Sequence, residues 1–391
     1  MDSIAKLKAA VPPNVAEVCA RLAEAGHQAV TVGGAVRDTL LGREPGDWDV
    51  ATSAHPDQVL KLFRHTIPTG IQHGTVTIVT GKGIESHVEV TTYRGEGAYT
   101  DARRPDSVIF GVPLREDLAR RDLTVNAIAY DVAGEAMFDP FGGIPDLLAK
   151  QLKAVGVAVD RFTEDGLRVM RVARFASQLG FDVEPDTKAA IRPALPSLAK
   201  VSKERVSDEL RKLLGGVAPA KGLAICQDTG IFETILPGQE LDIHRPPLVP
   251  EELRLASLVS RIPGDKHLRD ELKRLKFSNA EVEFAVAIVR ANNMLQGASD
   301  LPDTRRVMGF LGREKSLSLA DFVEDASQRT RILSCIDNPL TLKDLAVGGA
   351  DLMALGISGK AIGDTLAKLL EKVYDDPALN TKAQLLALVA A

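Results

Sequence analysis

Strand-like patterns fill the first ~150 residues of this chain and nearly vanish after Thr163, so two kinds of architecture must follow one another. Residues 28–32, 48–52, 75–80 and 86–92 read as strands, the last two joined by a turn at Gly81-Lys82-Gly83. Residues 13–25, 37–41 and 56–62 read as helices between them. The stretch 95–113 is rich in Gly, Asp and Arg, lacks periodicity and reads as a loop. Beyond Thr163 the spacing is helical, with a long amphipathic helix expected from about Glu164 to Leu179 and another over 202–214. Proline-rich breaks at Pro237 and 246–250, and a weaker break at 300–303, punctuate the helical half. The expectation is an α+β fold with an N-terminal mixed sheet and an all-helical remainder. A chain of 391 residues holds two to four domains at roughly 100–200 residues each.

Composition narrows the function classes. An apolar share of 45% with 26% charged residues is that of a folded, water-borne protein. At 4% aromatic, the chain has few rings on which bases could stack, so a bound nucleic acid would be held mainly through phosphates. A net charge of -5 argues against a basic coat while leaving room for a local basic groove. Cys19, Cys226 and Cys335 are far apart, form no CxxC pair and read as buried free thiols in a reducing compartment. The first residues lack a secretory pattern and no run of 18 apolar residues occurs, so the cytoplasm is expected and no membrane span.

Three clusters carry chemistry. Gly33-Gly34-Ala35-Val36-Arg37-Asp38 is followed nine residues later by Asp47-Trp48-Asp49. Two glycines let backbone N–H groups approach a polyphosphate, and Arg37 adds a planar cationic fork. Asp47 and Asp49 fall on one face of an extended segment, as Mg²⁺ shared with substrate phosphates requires. Two aspartates so spaced also suit turn capping, but the preceding Gly-Gly turn favours the metal. Glu89 shares a strand face with His87 and Thr91 and is either a third carboxylate of a two-metal site or a plain exposed strand glutamate. In the second cluster, Arg120-Arg121-Asp122 and Asn126 would hold a triphosphate and a ribose hydroxyl, or form an ordinary i,i+4 polar face. In the third, Asp165, Arg168 and Arg171, continuing to Arg174, form a polar stripe on one helix. A carboxylate beside a guanidinium reads cytosine and adenine alike, accepting from the exocyclic amine and donating to the adjacent ring nitrogen. A surface salt-bridge ladder is the competing reading.

With these clusters in this order, the chain resembles the bacterial tRNA nucleotidyltransferase and poly(A) polymerase family, the class II CCA-adding enzymes. The resemblance runs from the Gly-Gly turn to 202–210, through Pro68-Thr69-Gly70, His73-Gly74-Thr75-Val76 and Asp139-Pro140-Phe141-Gly142-Gly143. It implies a polymerase-β-like nucleotidyltransferase head over 1–155, a helical neck over 156–236, a body over 237–300 and a tRNA-binding tail over 301–391. It assigns Asp47 and Asp49 to Mg²⁺, and Gly34 and Arg37 to nucleotide phosphates, with Gly33 in the same turn; Glu89 stands beside them as a catalytic candidate, metal ligand or general base. Arg121, Asp122 and Asn126 go to phosphate and ribose. Asp165 and Arg168 go to the base, backed by Arg171 and Arg174. The partners implied are CTP, ATP and tRNA, with no stable protein partner. Gly166 stands where the family often has proline.

The resemblance also implies a loop at 95–113, which CC-only enzymes shorten and A-only enzymes keep. The arginine-rich stretch of bacterial poly(A) polymerases is replaced by Phe63-Arg64-His65-Thr66-Ile67-Pro68. A-adding or poly(A) activity, and a silent RNA-binding relative, are the alternatives. In the tail, Leu355-Gly356-Ile357-Ser358-Gly359-Lys360 resembles a helix-hairpin-helix turn, or is a helix connection that needs glycine caps.

Overall fold

The computed structural model describes residues 3–83, 86–96 and 108–390. It divides into two compact units, Met1–Gly238 and Gln239–Ala391.

The first unit is built on a mixed sheet. Its strands are β1 (Ala29–Val32), β2 (Asp49–Thr52), β3 (Thr66–Gly70), β4 (Thr75–Val79) and β5 (His87–Thr92). A separate pair, β6 (Arg94–Glu96) and β7 (Val108–Phe110), precedes β8 (Ala129–Asp131) and β9 (Ala136–Phe138). Among the described residues the main sheet runs β3-β4-β5-β2-β1-β8-β9. Only the β2–β5 neighbours are parallel. Every residue of β1 is buried, as a central strand of alternating Ala, Val and Thr demands. In β5, Val88 and Val90 are buried while His87 and Glu89 are exposed, the period-two pattern read from sequence. Val30, Val32, Tyr93, Leu114 and Leu118 pack in one core cluster beneath the sheet.

The segment 95–113 is only partly a loop. Its two ends pair as the antiparallel ladder β6–β7, Arg94 opposite Phe110, which its lack of periodicity concealed; residues 97–107 lie outside those described.

The helices of this unit begin with α1 (Ser3–Ala10), α2 (Pro13–Glu24), α3 (Gly34–Leu40), α4 (Pro56–Leu62), α5 (Leu114–Ala119) and α6 (Gly143–Ala149). The chain then turns helical through α7 (Ala158–Glu164), α8 (Leu167–Leu179), α9 (Pro185–Ala189), α10 (Ile191–Ala199), α11 (Lys203–Leu214), α12 (Pro219–Thr229) and α13 (Ile231–Ile235). Helix α8 is buried nearly all round against α11 and α12.

The expected single helix from Glu164 to Leu179 is broken at Asp165-Gly166. Asp165 has an extended backbone (φ −130°, ψ 103°), and its carboxylate accepts the Leu167 N–H at 3.0 Å. A side chain that caps a new helix competes with continuation of the old one. Asp165 therefore stands before α8 rather than on a shared stripe.

The second unit is helical throughout its described residues, and Tyr374, Val373, Leu369 and Leu385 centre one of its clusters. Its Lys360–Asp375 helix follows Gly359, whose φ of +62° suits glycine. All three cysteines are buried and unpaired, and no described helix is long and apolar enough to cross a membrane.

Candidate active site

Sheet order brings the first cluster together. Val32 pairs with Asp49 across β1–β2, so the Gly33-Gly34 turn emerges beside that carboxylate. Asp49 in turn stands level with Glu89 on the parallel neighbour β5. Gly33 has a φ of +78°, and a Cβ there would come within 3.1 Å of Arg121 Nη1 and 3.9 Å of Asp49 Oδ2. Glycine is thus required by backbone conformation, and the site gains a close approach of N–H groups to whatever enters.

A cavity of about 530 Å³ opens here, lined by Gly33, Gly34, Arg37, Asp49, Arg121, Asp122, Asn126, Asp165, Arg168, Arg171 and Arg174. Residues predicted from three separate stretches of sequence therefore line one cavity. Asp47 does not line this cavity. It borders a different groove, of about 600 Å³, beside Trp48 and His87. The aspartates flank buried Trp48 and both remain exposed, as an extended segment places them.

The electrostatics are unbalanced in a telling way. Loss of surrounding water pushes the Asp49 carboxyl up to about 6, against the pull of Arg121 and with the charges of Glu89 and Asp47 adding to it. Asp49 is open to the cleft, but the protein walls crowd out bulk water there. Burial likewise pulls Arg174 down to about 10, opposed by Glu209 and reinforced by Arg171. Crowded carboxylates on one side want a cation, and crowded guanidinium groups on the other want an anion. The pattern fits a divalent ion and a polyphosphate. Among the described residues no three His, Cys, Asp or Glu side chains lie close enough together to hold an ion.

The arginines are held rather than loose. Arg37 makes a bidentate contact with Asp38, both bonds 2.9 Å, and donates to Asn126 Oδ1 at 2.6 Å. Arg171 Nε donates to Asp122 Oδ2 at 2.6 Å and Arg174 pairs with Glu209 at 2.8 Å. Phe175 lies among the three, its ring centroid 5.2 Å from the Arg37, 5.5 Å from the Arg171 and 3.9 Å from the Arg174 guanidinium carbon. Its face offsets part of their mutual repulsion. Asp122 and Asn126 do not share an α-helical face: Thr124–Asn126 is a single 3₁₀ turn. Asn126 nevertheless donates to Asp122 Oδ1 at 3.1 Å.

Arg168 is buried, unlike a surface ladder residue, and three acceptors aim it: Glu164 Oε2 at 2.8 Å, Arg161 O at 2.9 Å and Arg120 O at 3.0 Å. Asp165 is steadied through Oδ2 by Arg205 at 3.0 Å. Sequence reasoning did not assign Arg94, Phe175, Gln178 or Arg205 to the site, although all four line the cavity. Phe175 had a usable signal, a rare aromatic one turn from Arg171. Arg205 and Glu209 had none, because their partners lie 40 and 35 residues away.

Two expected outcomes follow from this packing. Burial alone would push the Asp122 carboxyl up, but the charge and hydrogen bond of Arg171, with Asn126 and Arg168, hold it below the usual carboxylate range. Its stabilisation is therefore whole above about pH 4 and lost as pH falls through the folded value. Asp122→Asn should cost roughly 1–3 kcal/mol at pH 7, a discounted figure because Arg171 is part-exposed. In urea titrations that difference from wild type should shrink below pH ~4. Gly166 is explained by space: a Cβ there would lie 2.2 Å from the Ser197 carbonyl carbon and 2.4 Å from Leu198 N in α10. Gly166→Ala should lower stability by about 1–3 kcal/mol, read as the shift in thermal unfolding, since backbone cannot yield as a side chain does.

Comparison with known proteins agrees with this geometry. Residues 29–153 match the family described as the Poly A polymerase head domain, and 180–242 match the probable RNA- and SrmB-binding site of polymerase A. These matches, with the mixed-sheet head and its cleft, set the chain among nucleotidyltransferases. The CCA-adding enzyme of Lactococcus lactis subsp. lactis is 37% identical over 390 residues, covering 95% of each chain. That of Geobacillus kaustophilus is 44% identical over 368 residues, covering 89% of this chain and 88% of its own. The crystal structure of the Bacillus stearothermophilus CCA-adding enzyme in complex with CTP superposes with a TM-score of 0.72 at 34% identity, covering 93% of this chain and 94% of that one. The chain belongs to the CCA-adding enzyme family.

Proposed function

We propose that this protein builds CCA on the 3′ end of tRNA from CTP and ATP, without a nucleic-acid template, and releases pyrophosphate. The observation that carries the reading is the single cleft in which a glycine turn, a metal-suited carboxylate and the Asp165/Arg168 pair face one another. Gly33, Gly34 and Arg37 receive the triphosphate. Arg121, Asp122 and Asn126 position the phosphates and ribose. Asp165 accepts from the exocyclic amine of C or A and Arg168 donates to the neighbouring ring nitrogen, while uracil and guanine meet acceptor with acceptor and donor with donor.

The tRNA 3′-hydroxyl gives up its proton to water as its oxygen attacks the α-phosphate in line, one P–O bond forming as the bond to pyrophosphate breaks. A divalent cation, Mg²⁺ by its preference for carboxylate oxygens, would be held by Asp47 and Asp49 beside Glu89 and would supply charge neutralisation there. Positioning and charge complementarity then account for most of the acceleration. On this reading the head spans 1–155, the neck 156–236, the body 237–300 and the tRNA-binding tail 301–391. The enzyme works in the cytoplasm with no stable protein partner.

Transcripts ending at the discriminator base, at C and at CC, incubated with CTP, ATP and Mg²⁺, test the assignment. Sequenced 3′ ends should all finish at CCA, and chelation with EDTA should stop addition until Mg²⁺ is restored. Addition of A only to the CC-ended transcript, or long A tracts, would move the protein to a sister activity. Absence of any incorporation would favour a silent RNA-binding relative.

A further inference from the structure

Asp117 in α5 belongs to none of the clusters read from sequence, yet it is completely buried behind the arginine wall of the cleft. Its Oδ1 accepts the Arg94 backbone N–H at 3.2 Å and both Nε and Nη2 of Arg120, at 3.1 and 3.0 Å. Its Oδ2 stands 3.6 Å from Arg121 Nη2, an ion pair too long for a hydrogen bond, and no other donor among the described residues satisfies that oxygen. One carboxylate thus holds Arg120 tightly and Arg121 on a slack tether. Arg121 in turn closes against Gly33, and the Arg120 carbonyl accepts from Arg168 Nη2 at 3.0 Å. A buried carboxylate is a poor way to gain stability, since a well-packed apolar side chain does as well. Asp117 makes sense as a device that sets charges in place.

We propose that Asp117 is a positioning residue for nucleotide binding and base choice: it orients Arg120 and Arg121 in the cleft and, through Arg120, keeps Arg168 in register with the incoming base. The slack Asp117–Arg121 pair lets that guanidinium re-aim onto an arriving triphosphate, while the tight Asp117–Arg120 pair keeps the base-reading group still. The proposal rests on the nucleotidyltransfer reading above and adds a residue that touches neither substrate nor metal.

The test compares wild type, Asp117→Asn, Arg120→Gln and the double variant in steady-state addition of CMP or UMP to a transcript ending at the discriminator base. Asp117→Asn should raise KM for CTP about tenfold or more and raise the UTP-to-CTP ratio of kcat/KM by a similar factor, with kcat within about threefold of wild type. Arg120→Gln should show the same split. The double variant should be no more than about threefold worse than the worse single one, because the two act through one contact. Unchanged KM and base choice in Asp117→Asn, a uniform fall in kcat that follows a lowered melting temperature, or independent multiplication in the double variant would each overturn the proposal. Should Asp117→Asn fail to fold, Arg120→Gln decides, and wild-type KM and base choice there count against it. Failure of the wild type to incorporate either nucleotide would sink the functional reading itself, and the proposal with it.

Discussion

Alanine at Asp49 is expected to stop nucleotide addition, lowering kcat by about 10⁴-fold or more, which corresponds to roughly 5.5 kcal/mol of barrier. Asp49 is where the chain's geometry converges: first residue of β2, paired to Val32 before the glycine turn and level with Glu89 on β5. Its carboxyl is pushed up to about 6, chiefly because the cleft walls exclude water around it, so in the metal-free protein its charge is a local cost that a dication removes. Removing the side chain should therefore leave folding and tRNA binding intact while taking away the ligand that neutralises the reacting phosphates. Single-turnover addition to a C-ended transcript measures the first effect, and filter binding with thermal melting measures the second. Collapse of the fold in Asp49→Ala would mean that the carboxylate serves structure instead of metal.

The second large effect is expected at Arg168. Replacement by alanine should erase most of the preference for CTP over UTP, by about 10²-fold or roughly 2.7 kcal/mol, the scale of one well-aimed pair of hydrogen bonds to a base edge. Turnover should survive at a reduced rate, because Asp49, Arg37 and the glycine turn still hold the phosphates. Arg168→Ala also strands three acceptors that now aim the guanidinium, Glu164 and the carbonyls of Arg161 and Arg120. A stability loss of about 1–3 kcal/mol should accompany the change in specificity. Competition between CTP and UTP on one transcript reads the preference directly, and an unchanged ratio would refute protein-templated base choice.

Much of this site was legible before any coordinates. A period-two run marked β5, and short apolar stretches beside turn glycines marked β1, β2 and β4, because a half-buried strand must alternate whereas one buried on both faces need not. Gly33 was legible because few residues tolerate its backbone. Less legible was the break at Asp165: apolar spacing runs through it unchanged, and only the capping bond to Leu167 shows that α8 starts afresh. The Asp122–Asn126 contact was anticipated on an α-helical face and arises from a 3₁₀ turn, since i,i+4 spacing alone does not distinguish a helix from a tighter local bend.

Local chemistry, then, is what the amino-acid order determined here: which segments extend or coil, where glycine must stand, and which short clusters carry phosphate-, metal- and base-suited groups. The tertiary structure alone decided which carboxylate restrains an arginine distant from it in sequence. Arg171 with Asp122, Arg174 with Glu209, Arg205 with Asp165 and the Asp117 contacts with Arg94 join residues from separate elements. The reason is physical: a charged side chain carries no local signature of a partner far away in sequence, and only the packing of α8 against the head and α11 makes one such carboxylate nearer than the others.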